Sequence, residues 1–132
     1  MAKISGLGMT VSIDDSSGSA HDVSNDLASL NFGTPQNLLT VTGLDKSAME
    51  RIIGLGDGTV SITGAAFNDA SGQIFDILKT RSGTRTVAIT IDSNVLSMEM
   101  LISSVQFARN NDGSLVPTAT FELQSGTVPT WA

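Results

Sequence analysis

Large apolar side chains recur at every second position toward the end of the stretch from residue 84 to residue 92. Val87, Ile89 and Ile91 take one side of the backbone, and Thr86, Ala88, Thr90 and Asp92 take the other. Residues 95–102 and 115–124 repeat the scheme. A period of two with one apolar side is the signature of a strand lying on a core. The C-terminal half is therefore expected to be an antiparallel meander, with hairpin turns at Asp92-Ser93-Asn94 and at Asn110-Asn111-Asp112-Gly113. Within the middle strand the alternation slips. Met98, Met100 and Ile102 share one parity, while Val105 and Phe107 take the other. One extra residue at Ser103-Ser104 restores the register, which is the work of a β-bulge.

The N-terminal half is less regular. Leu7, Met9, Val11 and Ile13 alternate as a first strand, and the polar run 14–19 is turn chemistry. Residues 21–25 can form a partner strand. Residues 27–32 are mixed, Gly33-Thr34-Pro35 interrupts them, and 38–44 can be strand again. A helix is expected next. Ser47-x-x-Glu50 fits a capping box, Met49, Ile52, Ile53 and Leu55 supply an apolar stripe, and Gly54, Gly56 and Gly58 supply an exit. Val60, Ile62 and Gly64 alternate with polar residues as a strand. A second short helix is expected over residues 73–79. The fold class is mainly β: a β-sandwich or barrel with one or two short flanking α-helices, in a single domain spanning 1–132.

Composition narrows the functional classes. The net charge of −6 opposes a groove that grips phosphates, which needs clustered Lys and Arg. It does not oppose a passage through which a polyanion slides. Only 15% of residues are charged, below the roughly 25% usual for a soluble domain. Either a partner covers neutral surface, or Ser, Thr and Gly keep it wet. The absence of cysteine removes disulfides and thiolate metal sites. The first residues carry no sustained apolar stretch of the signal-peptide kind, and no segment is apolar for long enough to span a bilayer. Cytoplasmic synthesis without a membrane partner is the resulting expectation.

No constellation of catalytic residues stands out. His21 is the single histidine, and no Gly-x-Ser-x-Gly elbow is present. Residues 54–58 look like a phosphate cradle, but their glycines close the expected helix instead of opening one. The acidic loops at Asp14-Asp15, Asn68-Asp69 and residues 110–113 lack the spacing of a calcium loop. The expectation is a non-enzyme with no catalytic, cofactor or metal site. Trp131, beside Pro129 near the chain end, either folds back on its own domain or docks on a neighbour.

Two segments carry a resemblance: LTVTGLDKSAMERIIGLGDGTVSITGAAFND at 39–69 and RNNDGSLVPTATFELQSGTVPTWA at 109–132. Together they resemble the major tail tube proteins of long, non-contractile-tailed bacteriophages. The resemblance implies a virion protein whose copies form hexameric rings. The rings stack into a tail tube, with residues 125–132 as a C-terminal arm. It further implies tape-measure and tail-tip or terminator proteins as partners, and transient passage of DNA through an acidic channel. On strand parity the channel-facing residues are Thr86, Thr90, Asp92, Ser97, Glu99, Thr118, Thr120 and Glu122. Contacts between copies are expected at Asp14, Asp15, Gly33, Pro35, Arg81, Arg85, Arg109, Pro129 and Trp131. Two alternatives remain: a head-decoration or tail-completion virion protein, and a non-catalytic carbohydrate-binding β-sandwich. The second must do without tyrosine and with one tryptophan.

Overall fold

The computed structural model describes residues 5–124 and 129–132. Nine strands run in chain order: β1 (Thr10–Asp14), β2 (Ala20–Asp22), β3 (Leu27–Gly33), β4 (Gln36–Thr40), β5 (Arg51–Gly56), β6 (Thr59–Gly64), β7 (Arg85–Ile91), β8 (Asn94–Arg109) and β9 (Leu115–Leu123). One helix, α1 (Ile74–Leu78), and a 3-10 turn at Ser24–Asp26 complete the described elements. Seven strands form one sheet in the order β2-β1-β7-β8-β9-β6-β3, and β4 and β5 pair separately.

The long strand β8 is the spine. Its first half pairs with β7 and its second half with β9, and Met100 meets both Arg85 and Leu123. The register shifts between Ile102 and Ser104, where the slip in alternation placed a bulge. Alternation turns Val87, Ile89, Leu96, Met98, Met100, Ile102, Ala119 and Phe121 onto one face. Together with Val11, Ile13, Val60 and Ile62 they make a single core, closed by Ile74, Ile77 and Leu78 of α1. Burying an aliphatic or aromatic side chain of this size contributes about 1.5–3 kcal/mol each, so this face fixes the register of every strand in the large sheet. Gly64 lies where β6 crosses Pro117. A Cβ there would stand 2.5 Å from the proline ring, so no larger residue fits without movement.

The chain between β2 and β3 crosses from one edge of the sheet to the other. The sheet therefore curls, and a groove of about 220 Å³ lined by Met9, Val11, Ser24, Leu27 and Leu30 opens at the seam between β1 and β3.

Two buried polar residues secure the short helix at its ends. Asp26 accepts hydrogen bonds from the Ile74 N–H (3.1 Å) and the Asn68 amide (2.9 Å), supplying a cap from 48 residues away. Arg85 is fully buried. It donates to the carbonyls of Ile77 (3.0 Å), Asp14 (3.2 Å) and Thr80, tying the helix exit to the β1 end. Burial lowers its pKa, and the nearby Asp15 and Asp14 oppose that shift. Contact between copies through Arg85 is therefore corrected: its guanidinium is used inside the domain, because residue 85 shares parity with Val87 and Ile89.

The helix expected from Ser47 to Leu55 is also corrected. Residues 51–56 are strand β5, paired with β4 through Leu38–Ile53, Leu39–Ile52 and Thr40–Arg51. In place of the capping box, the Glu50 N–H donates to Thr42 Oγ1 (2.8 Å) and the Val41 N–H to the Glu50 carbonyl (2.9 Å), closing a hairpin. Gly54 is not a helix exit; it lies inside β5, where a Cβ would stand 3.1 Å from the Asn37 carbonyl.

Candidate assembly surfaces

Among the described residues, no helix covers the side of the large sheet opposite the core. Cross-strand register lines up Ser29, Thr63, Thr118 and Gln106 in one row and Asn31, Ser61, Thr120 and Ser104 in the next. The row of Gly33, Thr59, Glu122 and Leu101 follows. On the other half, Thr86 faces Glu99, and Asp22, Ser12, Ala88 and Ser97 form a further row. Thr86 Oγ1 donates to Glu99 Oε2 at 2.9 Å. Seven of the eight residues expected along a channel thus share one uncovered face: Thr86, Thr90, Ser97, Glu99, Thr118, Thr120 and Glu122. Asp92 does not; it occupies the tight turn with φ of 56°, at the rim of that face. Among the described strand residues this face bears Asp14, Asp22, Glu99 and Glu122 and no lysine or arginine. Hydrogen bonds from the Ser24 hydroxyl and N–H hold the Asp22 carboxyl below its usual pKa.

The hairpin of β4 and β5 forms an arm whose apolar side chains meet water. Leu38, Leu39, Val41, Ile52, Ile53 and Leu55 are all between 45% and 85% exposed. The root is closed by the Asp57 N–H donating to the Pro35 carbonyl at 2.9 Å. Gly33 and Pro35, expected at a contact between copies, are the residues from which the arm departs.

The chain end folds back on its own domain. The N–H and carbonyl of Ala132 bond Val95 on the side of β8 away from β7, and Trp131 bridges to Leu96. The Trp131 ring lies 6.2 Å from that of Phe32 and stays half exposed. Pro129 lies against Gly58. Of the expected C-terminal arm, residues 125–128 lie outside the described residues.

The remaining expected contact residues are dispersed. Asp15 organises the β1–β2 turn: Oδ1 accepts from the Ser17 hydroxyl (2.7 Å) and the Ser17 and Ser19 N–H groups, and Oδ2 lies 2.8 Å from His21 Nε2. The Ser17 hydroxyl, His21 and the Ser19 N–H hold its carboxyl well below the usual carboxylate range. Asp14 ends β1, Arg81 is exposed after α1, and Arg109 is exposed at the far end of β8. A second apolar surface, not expected from the sequence, joins Phe67, Phe75 and Phe107, with ring centroids 4.6–6.1 Å apart. Phe67 and Phe107 are 36% and 41% exposed. Among the described residues no three His, Asp or Glu side chains converge as metal ligands, and no helix is long and apolar enough to cross a membrane.

This architecture has solved counterparts. The chain superposes on a chain from the tail of an empty gene transfer agent particle, determined with C6 symmetry, with a TM-score of 0.76. The match covers 99% of both chains at 15% sequence identity. The chain has the fold of a phage-like tail protein. A chain from the virion of a native gene transfer agent particle is similar with a TM-score of 0.74 and 14% identity, again over 99% of each chain. No family model matches the sequence, and no curated protein matches it. The tail-protein fold thus rests on three-dimensional likeness, reached at an identity too low for sequence comparison.

Proposed function

We propose that this chain is a structural tail protein whose copies assemble as stacked six-membered rings into a tube, and that the uncovered polar face of the large sheet lines its bore. The observation that carries the reading is that face: among the described strand residues it bears four carboxylates and no lysine or arginine, over strands from both halves of the sheet, in a fold shared with a chain from a tail of C6 symmetry. Sheet edges support it. The outer side of β3 (Leu27–Gly33) is unpaired within the large sheet, and the opposite edge is the three-residue β2. Open edges invite pairing with another chain, and a ring of copies satisfies them. Within a bore, carboxylates repel phosphates within the Debye length of about 8 Å, so DNA passes without being held. Tape-measure and tail-tip or terminator proteins would be the other partners, and the virion the place of action. The chemistry asked of the surface is weak interaction, in keeping with a non-enzyme.

Charge reversal tests the lining. The double variant Glu99→Arg, Glu122→Arg is expected to bind short duplex DNA at low salt, with affinity falling steeply as salt rises. The unmodified chain is expected to leave DNA free. Co-sedimentation with assembled protein reads both. Equal and negligible DNA binding by the two proteins would place these carboxylates away from the bore.

A further inference from the structure

We propose that Asp57 is a self-modifying site, where the Gly58 amide nitrogen closes on the Asp57 carboxyl and converts the junction between β5 and β6 to isoaspartate. The chain holds two Asp-Gly pairs, Asp57-Gly58 and Asp112-Gly113. A glycine after an aspartate leaves its nitrogen open to close approach, because no Cβ shields it. The pairs are equal in sequence, and the fold makes them unequal. The Gly58 N–H donates to Oδ1 of Asp57 at 2.7 Å. Cγ is one bond from that oxygen, so the nitrogen and the carbon it attacks are held in near-attack range. The Gly113 nitrogen is turned elsewhere: its N–H donates to the Asn110 carbonyl at 3.0 Å. Asp112 Oδ1 accepts from the Ser114 N–H (3.0 Å) and the Ser114 hydroxyl (2.8 Å). These bonds hold the Asp112 carboxyl below its usual pKa, so the neutral acid, the form that loses hydroxyl, is scarcer there.

The step balances without an oxidant or a cofactor. The N–Cγ bond forms, the nitrogen gives up its proton, the carboxyl gives up a hydroxyl, and the two leave as water. The product is a five-membered succinimide. One water then adds back. Cleavage of the N–Cγ bond restores aspartate. Cleavage between the nitrogen and the Asp57 backbone carbonyl carbon leaves the chain running through Cγ, with the former backbone carbonyl as a free carboxylate. Water reaches the site, because Asp57 is exposed and borders an open hollow with Pro35, Asn37 and Leu55. The isoaspartate main chain is longer by one carbon. That carbon falls between two fixed points: the Asp57 N–H donates to the Pro35 carbonyl at 2.9 Å, and the Gly58 carbonyl accepts from the Leu123 N–H at 3.0 Å. Gly58 is itself buried, against Met98 and Pro129. The extra carbon strains one of these bonds, so the modification loosens the root of the arm from β6. The chemistry does not depend on the tube reading.

Incubation of the folded full chain in warm neutral buffer tests this. Trypsin separates the two pairs into peptides 52–79 and 110–132. Isoaspartyl methyltransferase labelling with mass spectrometry then measures isoaspartate in each. Label is expected to accumulate in 52–79 at least about tenfold faster than in 110–132, because only the first pair is held for attack. In the urea-unfolded chain, where both pairs are free, the two rates are expected to converge. Asp57→Glu is expected to remove the excess label from 52–79, since the longer side chain must close a six-membered ring. Ser114→Ala, which frees the Asp112 carboxyl from the hydroxyl, is expected to raise the label in 110–132. A ratio in the folded chain no greater than in the unfolded one, or no label in 52–79, would overturn the proposal.

Discussion

Replacing residues 37–55 by a short Asn-Gly turn is expected to give a folded monomer that forms no tubes at any concentration at which the unmodified chain does. The arm contributes none of the buried core residues, and its root is already closed by the Asp57–Pro35 hydrogen bond. Its removal should leave the melting temperature within a few degrees. The same deletion strips seven exposed aliphatic side chains and Met49 from the surface. At about 25 cal/mol per Å² of apolar area removed from water, such a cluster supplies several kcal/mol to an interface. Each 1.4 kcal/mol is tenfold in association constant, so assembly should fall by orders of magnitude. Negative-stain microscopy and thermal denaturation of the same sample separate the two effects. Normal tubes from the shortened chain would remove the arm from the account.

The largest loss of stability is expected from Arg85→Ala. The substitution leaves the carbonyls of Ile77, Asp14 and Thr80 without their donor and opens a void where a fully buried side chain stood. The Ile77 acceptor is buried and those of Asp14 and Thr80 are partly buried; a buried acceptor left unsatisfied costs about 1–3 kcal/mol, and with the void the loss is expected to be about 3 kcal/mol, or roughly 10 °C in melting temperature. Arg85→Lys should recover only part of it, because one ammonium cannot fork across a helix exit and a strand end as a guanidinium does. Urea denaturation of the three proteins measures this. Wild-type stability in Arg85→Ala would show that the guanidinium does not hold the helix.

The meander was legible because each of its strands has one buried side. Val87, Ile89 and Ile91 require a period of two, and the parity change between Ile102 and Val105 marks the bulge. The second helix was legible from Ile74, Phe75, Ile77 and Leu78, although its cap was not. Asp26 reaches Ile74 from across the chain, and no local spacing announces that. The arm misled for a physical reason. Met49, Ile52, Ile53 and Leu55 suit one side of a helix, and the same spacing arises when a ribbon is apolar on both faces. The doublets Leu38-Leu39 and Ile52-Ile53 were the available signal. Arg85 carried its own clue in sharing parity with Val87. Nothing in the spacing around Trp131 decides between its own domain and a neighbour; its bridge to Leu96 brings it onto its own domain with half its surface still free. Contacts between copies depend on surfaces that meet only after folding, and no spacing within one chain encodes which residue faces which.

A three-dimensional reconstruction by electron microscopy of the polymer formed by the purified chain tests the central claim most directly. The account predicts a hollow tube whose bore is lined by Thr86, Ser97, Glu99, Thr118, Thr120 and Glu122, with β3 edges paired to neighbouring copies. A polymer that turns these residues outward, or a bore lined by lysine and arginine, would contradict it.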